Sequence, residues 1–400
     1  MTKSTPIMRS QFHSLTHLVS CTALSLALFA GHSVAQTPAA DKRPTLSNAT
    51  VGKARATLVA ERLESPWAMA WLPPIAGSTS PRALVTERAG RMRIVTMDGK
   101  VGEPLKGVPK VHAVNQGGLL DVVLSPQFAS NRTIFFSYAE PSNEGARTVV
   151  ARAELRDDGL QNVTVIFGQK DRVSGGHHFG SRIAIANDGT LFITTGERYS
   201  EKARAQSLDS HLGKVIHITA TGEIPADNPY AKTANGLKEI WSYGHRNMQG
   251  AAINPTTGAL WTHEHGPRGG DELNIPRAGK NYGWPVIGYG IDYSGAKLHD
   301  SATKDGMEQP IHYWVPSIAP SGMAFYTSTK FPEWKNSLFI GALAGQHLAR
   351  LTVNGDRVVA EEKLLTDLGQ RIRDVRQGPD GFIYVLTDDR NGKLLRVAPN

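Results

Sequence analysis

Short apolar runs, each opened by a polar or glycine-containing turn and closed by another, recur along the chain and often lead into a second such run. The copies are PRALVTERAGRMRIV at 81–95, NRTIFFSYAE at 131–140, DGTLFITTGER at 188–198, TGALWTHEHG at 257–266, NSLFIGALAGQHLARLTV at 336–353 and DGFIYVLTDDRNGKLLRV at 380–397. Leu191-Phe192-Ile193 follows Asp188-Gly189, and Ile383-Tyr384-Val385-Leu386 follows Asp380-Gly381; an apolar run bounded by turn residues reads as a β-strand. The copies are spaced irregularly, roughly 45 to 80 residues apart, which approaches the ~40–50 residues of a propeller blade once insertions are allowed. The pattern predicts an all-β fold, a six-bladed β-propeller of four-stranded antiparallel sheets around a channel. A pair of β-sandwiches or a solenoid is the alternative. Neither explains why charged and histidine residues recur just after the apolar strands, where a propeller gathers them at one mouth. The best helical segment, around Glu201 to Leu212, is short.

No low-complexity linker divides residues 50 to 400, so 55–400 reads as one domain. That length exceeds what a single hydrophobic core usually serves, and a repeated blade relieves the difficulty. Composition agrees. The 400 residues are 40% hydrophobic and 20% charged, with 40 glycines and 23 prolines, enough apolar surface to fold and too many breakers for a helical bundle. A single cysteine excludes an intramolecular disulfide, a four-cysteine zinc site and a cysteine-ligated iron–sulfur cluster.

That cysteine, Cys21, lies in an N-terminal segment where Lys3 and Arg9 precede an apolar stretch from about Leu18 to Ala30, followed by Ser33-Val34-Ala35. The order is that of a secretory signal over 1–35, cleaved after Ala35 and leaving an extension at 36–54. A lipoprotein reading rests on Leu18-Val19-Ser20-Cys21, but there the apolar core follows the cysteine instead of preceding it. The apolar run is also short for a membrane span, so the reading is of a periplasmic protein without stable membrane insertion. Removal of Lys3 and Arg9 lowers the net charge from +8 to +6. The remaining basic residues are dispersed, which argues against nucleic acid and fits a solvated surface with an anionic ligand.

No GxGxxG after a strand, P-loop lysine, GxSxG or HExxH is present, so dinucleotide, ATP and serine-hydrolase chemistry lack support. Four polar clusters remain. In Gly175-Gly176-His177-His178-Phe179-Gly180 adjacent histidines on extended backbone point to opposite faces, so one enters a shared site, where imidazole is suited to take a proton. A surface pair or a chance metal site is the bland alternative. Tyr243-Gly244-His245-Arg246-Asn247-Met248-Gln249 offers a guanidinium and amides to a carboxylate-bearing planar ligand, or is simply a polar loop. In Trp261 to Glu272, the sequence His263-Glu264-His265 suggests zinc, but Gly266 and Pro267 carbonyls with Asp271 and Glu272 better fit a hard cation bound by oxygen. Finally, alternation in Gln370-Arg371-Ile372-Arg373-Asp374 puts both arginines on one face, where they repel unless an anion sits between them; the alternative is a solvated edge strand.

These clusters, with NQGGLLDVVLSPQF at 115–128, GEIPADNPY, EIWSYGHRN, EHGPRGGDELNIP, GKNYGWP, SGMAFY and QRIRDVRQGPDG, resemble the soluble pyrroloquinoline-quinone (PQQ)-dependent aldose sugar dehydrogenases, relatives of the soluble quinoprotein glucose dehydrogenase. The likeness covers about residues 55 to 397. It implies a six-bladed propeller oxidoreductase, acting on the CH–OH group at the anomeric carbon of aldose sugars, and cofactors PQQ and Ca²⁺. It implies that His178 is the general base, that Gln116 and Arg246 flank quinone and substrate, and that Asn247, Gln249, Arg371 and Arg373 contact the cofactor. Gly266 and Pro267 carbonyls resemble ligands of the quinone-polarising calcium; Glu272 and Tyr282, the latter through its backbone carbonyl, resemble a second, structural calcium site. The electron acceptor, whether a dye, a quinone or a cytochrome, is not implied, nor is the choice between monomer and homodimer.

The chain departs from that pattern at three places. Ala344 stands where a lysine is usual, His177 where glucose-specific relatives carry an acid, and Met248 where proline is common. Two other functions share some of these residues, a calcium-dependent propeller lactonase and a propeller that only binds sugar. A lactonase has little use for paired Arg371 and Arg373, and a binding module has little use for a base.

Overall fold

The computed structural model describes residues 49–74 and 77–400; the expected leader, Cys21 and most of the 36–54 extension lie outside the described residues. Each apolar run named above is the second strand of a separate sheet, because a run enclosed by neighbouring blades is buried on both faces and needs no polar alternation. Leu191–Thr195 and Ile383–Thr387 are buried at every position. The described strands make six sheets whose first strands, Pro66–Leu72, Leu119–Leu124, Gly180–Ile185, Met248–Ile253, Pro320–Phe325 and Ile372–Gln377, contact one another in a ring. The fold is a six-bladed β-propeller. Successive strands pair antiparallel outward through each blade.

Three details vary the plan. The blade that starts at Pro66–Leu72 has three strands, its fourth reduced to a bridge between Val95 and Val101. The blade of Pro320–Phe325 gains Thr50–Val51, which pairs parallel to Arg357–Leu364. The ring is closed by the N-terminal strand Ala54–Leu63, which forms the outer strand of the last blade against Gly392–Pro399. Ala54–Leu63 and the C-terminal strand therefore share one sheet, so the ring cannot open without breaking that ladder. The helix expected near 201–212 is a 3₁₀ turn, Lys202–Gln206, since Lys214 Nζ takes the Arg204 and Ala205 carbonyls that a helix would use and Asp171 draws in Arg204 and Ser210.

The core consists of layers between blades. Six apolar clusters are described, each drawn chiefly from two adjoining blades; one joins Trp67 and Leu84 to Phe136 and Tyr138, another joins Phe339 and Leu348 to Val375 and Ile383. Met248 is fully buried in one of them.

The axis is filled by charge. Arg182 Nη1 lies 3.2 Å from Asp121 Oδ1 and 2.9 Å from Asp374 Oδ1, while Arg376 lies 2.8 Å from Asp121 and 3.1 Å from Asp374. Two guanidinium groups against two carboxylates make the set neutral. Arg182 Nε also donates to Gln249 O at 2.7 Å, Met69 N donates to Asp374 Oδ2 at 3.0 Å, and the Arg182 guanidinium sits 4.1 Å over Trp67. Residues of five blades thus meet in one hydrogen-bonded knot among the first strands.

Candidate active site

In a four-stranded antiparallel blade the connections from second to third strand, and from the fourth strand to the next blade, fall at the same end. The predicted residues occupy these connections. Gln116, His178 and Arg246 precede first strands, Gly266 and Pro267 follow a second strand, and Arg371 precedes the strand that contains Arg373. The mouth anticipated from the sequence is therefore formed.

His178 is 5% exposed, with φ of +51°, whereas His177 beside it is exposed. The backbone is not a strand here; the left-handed turn at His178 separates the two rings. His178 N donates to Gln116 Oε1 at 2.9 Å, and Gln116 N donates to Gly176 O at 2.8 Å. His178 Nδ1 lies 2.8 Å from Glu197 Oε1. Gly196 makes this approach possible, since a Cβ there would lie 2.1 Å from His178 O. Burial, reinforced by the charges of Arg246, His177 and Arg198, holds the imidazole well below its usual range. Burial likewise pushes Glu197 up to about 7, against the opposing charge of Arg246. Above that pH the ionised carboxylate accepts from Nδ1–H, which leaves Nε2 as the unprotonated nitrogen. Among the described residues the ring's hydrogen bond is made through Nδ1, and none is made by Nε2.

The same dyad recurs in the next blade. His245 Nδ1 lies 2.9 Å from Glu264 Oε1, again with a separation of 19 residues. There Nε2 is bonded to Ser242 Oγ at 2.9 Å and the ring stacks on Tyr282, so that imidazole is closed off. Glu264 also accepts from Arg246 N at 2.5 Å, which places Arg246 for the site. Arg246 Nη1 donates to His265 O at 3.0 Å and Gly266 O at 2.8 Å, and its guanidinium lies 5.1 Å from the Trp284 ring. Arg246 Nε and Asn247 Nδ2 are buried without a partner. Buried donors are seldom left unpaired, and these two suit an anion or a carbonyl-bearing ligand. Asn247 Oδ1 accepts from Gly180 N at 3.2 Å and from Gln249 Nε2 at 3.2 Å, so Gln249 serves the inner strand as much as the mouth.

Arg371 and Arg373 do share a face, and the protein supplies an anion between them. Asp388 lies 3.0 Å from Arg371 Nε and 3.1 Å from Arg373 Nη2. Although burial alone would raise Asp388, the charges of Arg373 and Arg371 hold it below the usual carboxyl range. One carboxylate against two guanidiniums leaves a net positive charge. Ala344, exposed, follows Leu343, whose carbonyl accepts from Arg371 Nη1 at 3.2 Å, and so adjoins this pair.

Beside Arg246 a cavity of about 10 Å³ is lined by Glu264, Gly266, Pro267, Glu272 and Tyr282 among others, room for one water or one ion. Asn274 Nδ2 donates to Glu264 Oε1 at 3.2 Å and to Glu272 Oε2 at 3.3 Å, so the two carboxylates are close. Burial, followed by the charges of Glu264 and Asp271, pushes Glu272 well above its usual range. Paired buried carboxylates of this kind fit a hard cation. The Tyr282 phenol is engaged with Ile275 O at 2.6 Å and Arg277 N at 3.0 Å, leaving its carbonyl as the atom suited to a cation. Gly266 O already accepts from Arg246 and keeps one lone pair.

Asp271 belongs to a different task from the cation binding anticipated for it. It accepts from Gly266 N, Ile318 N and Ala319 N, each at 2.8 Å, and from Ser317 Oγ at 2.5 Å. Three of these bonds fall on Oδ2 and one on Oδ1, which pins the 266 loop to the next blade. His263 and His265 share no metal: His263 is wholly buried against Gly250, and His265 Nε2 bonds Pro320 O at 2.7 Å.

Glu197, Arg198, Tyr199 and Asp388 were not anticipated, yet a signal was present. An acid stands at the end of the second strand, or within two residues of it, in five blades: Glu87, Glu140, Glu197, Glu264 and Asp388. Each pairs with arginine or histidine. Aligning the repeats by the ends of their apolar runs exposes this column.

The Glucose / Sorbosone dehydrogenase family model matches residues 63–396. The chain belongs to that family. It is 50% identical over 345 residues to the aldose sugar dehydrogenase YliI of Escherichia coli, covering 85% of this chain and 91% of that one. The apo-form crystal structure of the soluble aldose sugar dehydrogenase from E. coli superposes with a TM-score of 0.83 at 47% identity, covering 87% of this chain and all of the other. The PQQ-bound aldose sugar dehydrogenase of Streptomyces coelicolor gives 0.69 at 27% identity, with 88% and 100% covered. This glucose/sorbosone dehydrogenase family member is accordingly an oxidoreductase of the aldose sugar and glucose dehydrogenase type. No helix among its described residues is long and apolar enough to cross a membrane.

Proposed function

We propose that the protein oxidises aldose sugars at the anomeric carbon to lactones, with PQQ and Ca²⁺ as cofactors and His178 as general base. The observation that carries this reading is a buried histidine, fixed through Nδ1 by Glu197 and making no hydrogen bond at Nε2 among the described residues, beside orphaned donors of Arg246 and Asn247. Bound there, PQQ supplies a hydride acceptor bearing three carboxylates, and calcium supplies a Lewis acid for its carbonyl oxygens.

The protein's own residues do the rest. Nε2 of His178 takes the proton from the anomeric hydroxyl, while the Glu197 carboxylate stabilises the imidazolium that forms. A base placed in this way contributes about 10²–10⁴-fold. Arg371 and Arg373, with one carboxylate between them, hold a polyanion, and Arg246 Nε and Asn247 Nδ2 reach its oxygens. Gly266 and Pro267 carbonyls would hold the calcium on the quinone side, outside the small cavity, and Glu272 with the Tyr282 carbonyl would hold a second ion within it. Gln116 keeps His178 in place through its backbone. Export to the periplasm, with cleavage after Ala35, belongs to this proposal, as does transfer of the electrons to an external acceptor.

His178→Ala tests the assignment. PQQ binding, followed by absorbance titration, is expected to persist while aldose-driven dye reduction falls by about 10²-fold or more. Equal loss of both would show that the residue is only structural.

A further inference from the structure

Tyr199 has no role in the scheme so far, yet it is the exposed aromatic residue beside the base. Its side chain is 55% exposed. The ring centroid lies 5.4 Å from that of His178 at an interplanar angle of 77°, and 5.8 Å from that of His177. No partner for its hydroxyl is recorded among the described residues.

The loop presents this ring by an unusual conformation. Arg198 and Tyr199 are consecutive non-glycine residues with φ of +62° and +67°, a region that L side chains seldom enter. The strain is held by Arg198, which is 2% exposed. Its guanidinium donates to His177 O at 2.9 Å, Ala146 O at 2.6 Å and Gly175 O at 2.9 Å, and lies 3.8 Å over the Phe179 ring. A buried clamp therefore ties the 197–200 turn to the loop that carries His178. Backbone strain kept at a functional site usually fixes a group there.

We propose that Tyr199 is the platform on which a pyranose ring stacks while its anomeric hydroxyl meets His178. This inference rests on the function proposed above. One face of a pyranose with equatorial hydroxyls presents mainly C–H groups, which pack on the electron-rich face of an aromatic ring, and the phenol hydroxyl is free to bond a sugar hydroxyl at the edge. Tyr199 thereby selects sugars by the flatness of that face and holds the reacting carbon over the base. It touches substrate only, so its loss weakens sugar binding and spares the cofactor.

The test uses the protein loaded with PQQ and Ca²⁺ and compares wild type with Tyr199→Ala, Tyr199→Leu and Tyr199→Trp. Dye-linked turnover of D-glucose gives kcat and KM; calorimetric binding of D-glucono-1,5-lactone and absorbance titration of PQQ are read separately. Tyr199→Ala and Tyr199→Leu are expected to raise KM and the lactone Kd about tenfold. PQQ titration and Tm stay unchanged, and Tyr199→Trp restores both sugar parameters. Tyr199→Leu keeps the bulk, so it decides the matter if the alanine variant folds poorly. Unchanged KM and lactone Kd in a fully loaded Tyr199→Leu protein overturns the inference, as does loss of PQQ binding in all three variants. A wild type that binds PQQ yet oxidises no aldose instead defeats the functional reading on which it rests.

Discussion

Replacing Glu197 by glutamine separates what the His178–Glu197 dyad does for activity from what it costs the fold. The carboxyl is pushed by burial from 4.5 to about 7, so the folded protein disfavours its ionisation by on the order of 3 kcal/mol. The folded value is the raised one. The stability it represents is therefore fully present below about pH 4.5 and is lost as pH rises through 7. Glutamine does not ionise and escapes this loss. With about 350 residues unfolding at ~2.1 cal/mol/K each, 3 kcal/mol corresponds to about 4 °C. Differential scanning calorimetry should show the Tm of Glu197→Gln relative to wild type rising by about 4 °C between pH 4 and pH 8. Activity should move the other way. A charge-assisted hydrogen bond exceeds a neutral one by ~1–2 kcal/mol, so kcat should fall about 5–30-fold. The acid limb of kcat should also change: in wild type it lies near pH 7, where Glu197 ceases to accept Nδ1–H, and in the variant, whose amide oxygen accepts at every pH, it moves down to where the His178 imidazole itself takes up a proton. A Tm difference that is flat with pH, together with an acid limb still near 7, would refute the dyad argument.

Three further outcomes follow from the same geometry. Arg182→Met leaves Asp121 and Asp374 with one guanidinium between them, and breaking a buried pair costs ~3–5 kcal/mol, a Tm loss of about 4–7 °C; a loss under about 1 °C would mean that the axial network does not tie the blades. Chelation of the calcium-loaded protein should lower Tm, and Glu272→Gln should shrink that loss by removing a ligand of the second ion; an unchanged Tm on chelation counts against an ion at this cavity. Arg373→Ala should weaken PQQ binding about 10–100-fold, the worth of a hydrogen bond to a charged group, as read by fluorescence titration; an unaltered Kd would leave the arginine pair serving Asp388 alone.

The fold was legible because blade-second strands are the least ambiguous part of a propeller. Enclosed on both faces, Leu191–Thr195 and Ser337–Ala342 are wholly buried, and such runs announce themselves between turn residues. First strands are harder to read. Gly180–Ile185 and Ile372–Gln377 carry Arg182, Asp374 and Arg376, charges that look solvated in sequence but neutralise one another at the axis. The mouth was legible through its histidines and arginines, as these are uncommon in apolar surroundings. Their partners were less so. Glu197 and Asp388 are single acids at strand ends, and only the repeat column, or the 19-residue spacing shared by His178–Glu197 and His245–Glu264, distinguishes them from surface charge. Asp271 shows the converse: an acid next to Glu272 looked like a cation ligand, but backbone amides from two loops claim it. Tyr199 was invisible because its position depends on two left-handed residues and a buried arginine.

The central claim is that this mouth is a quinone-dependent sugar oxidation site. The direct measurement is reconstitution: cofactor-free protein is mixed with PQQ and Ca²⁺, binding is verified by absorbance, and reduction of an artificial dye is followed on adding D-glucose and other aldoses. The account predicts dye bleaching that requires PQQ, calcium and an aldose together, with the lactone as product. Stoichiometric PQQ binding without dye reduction by any aldose would contradict it.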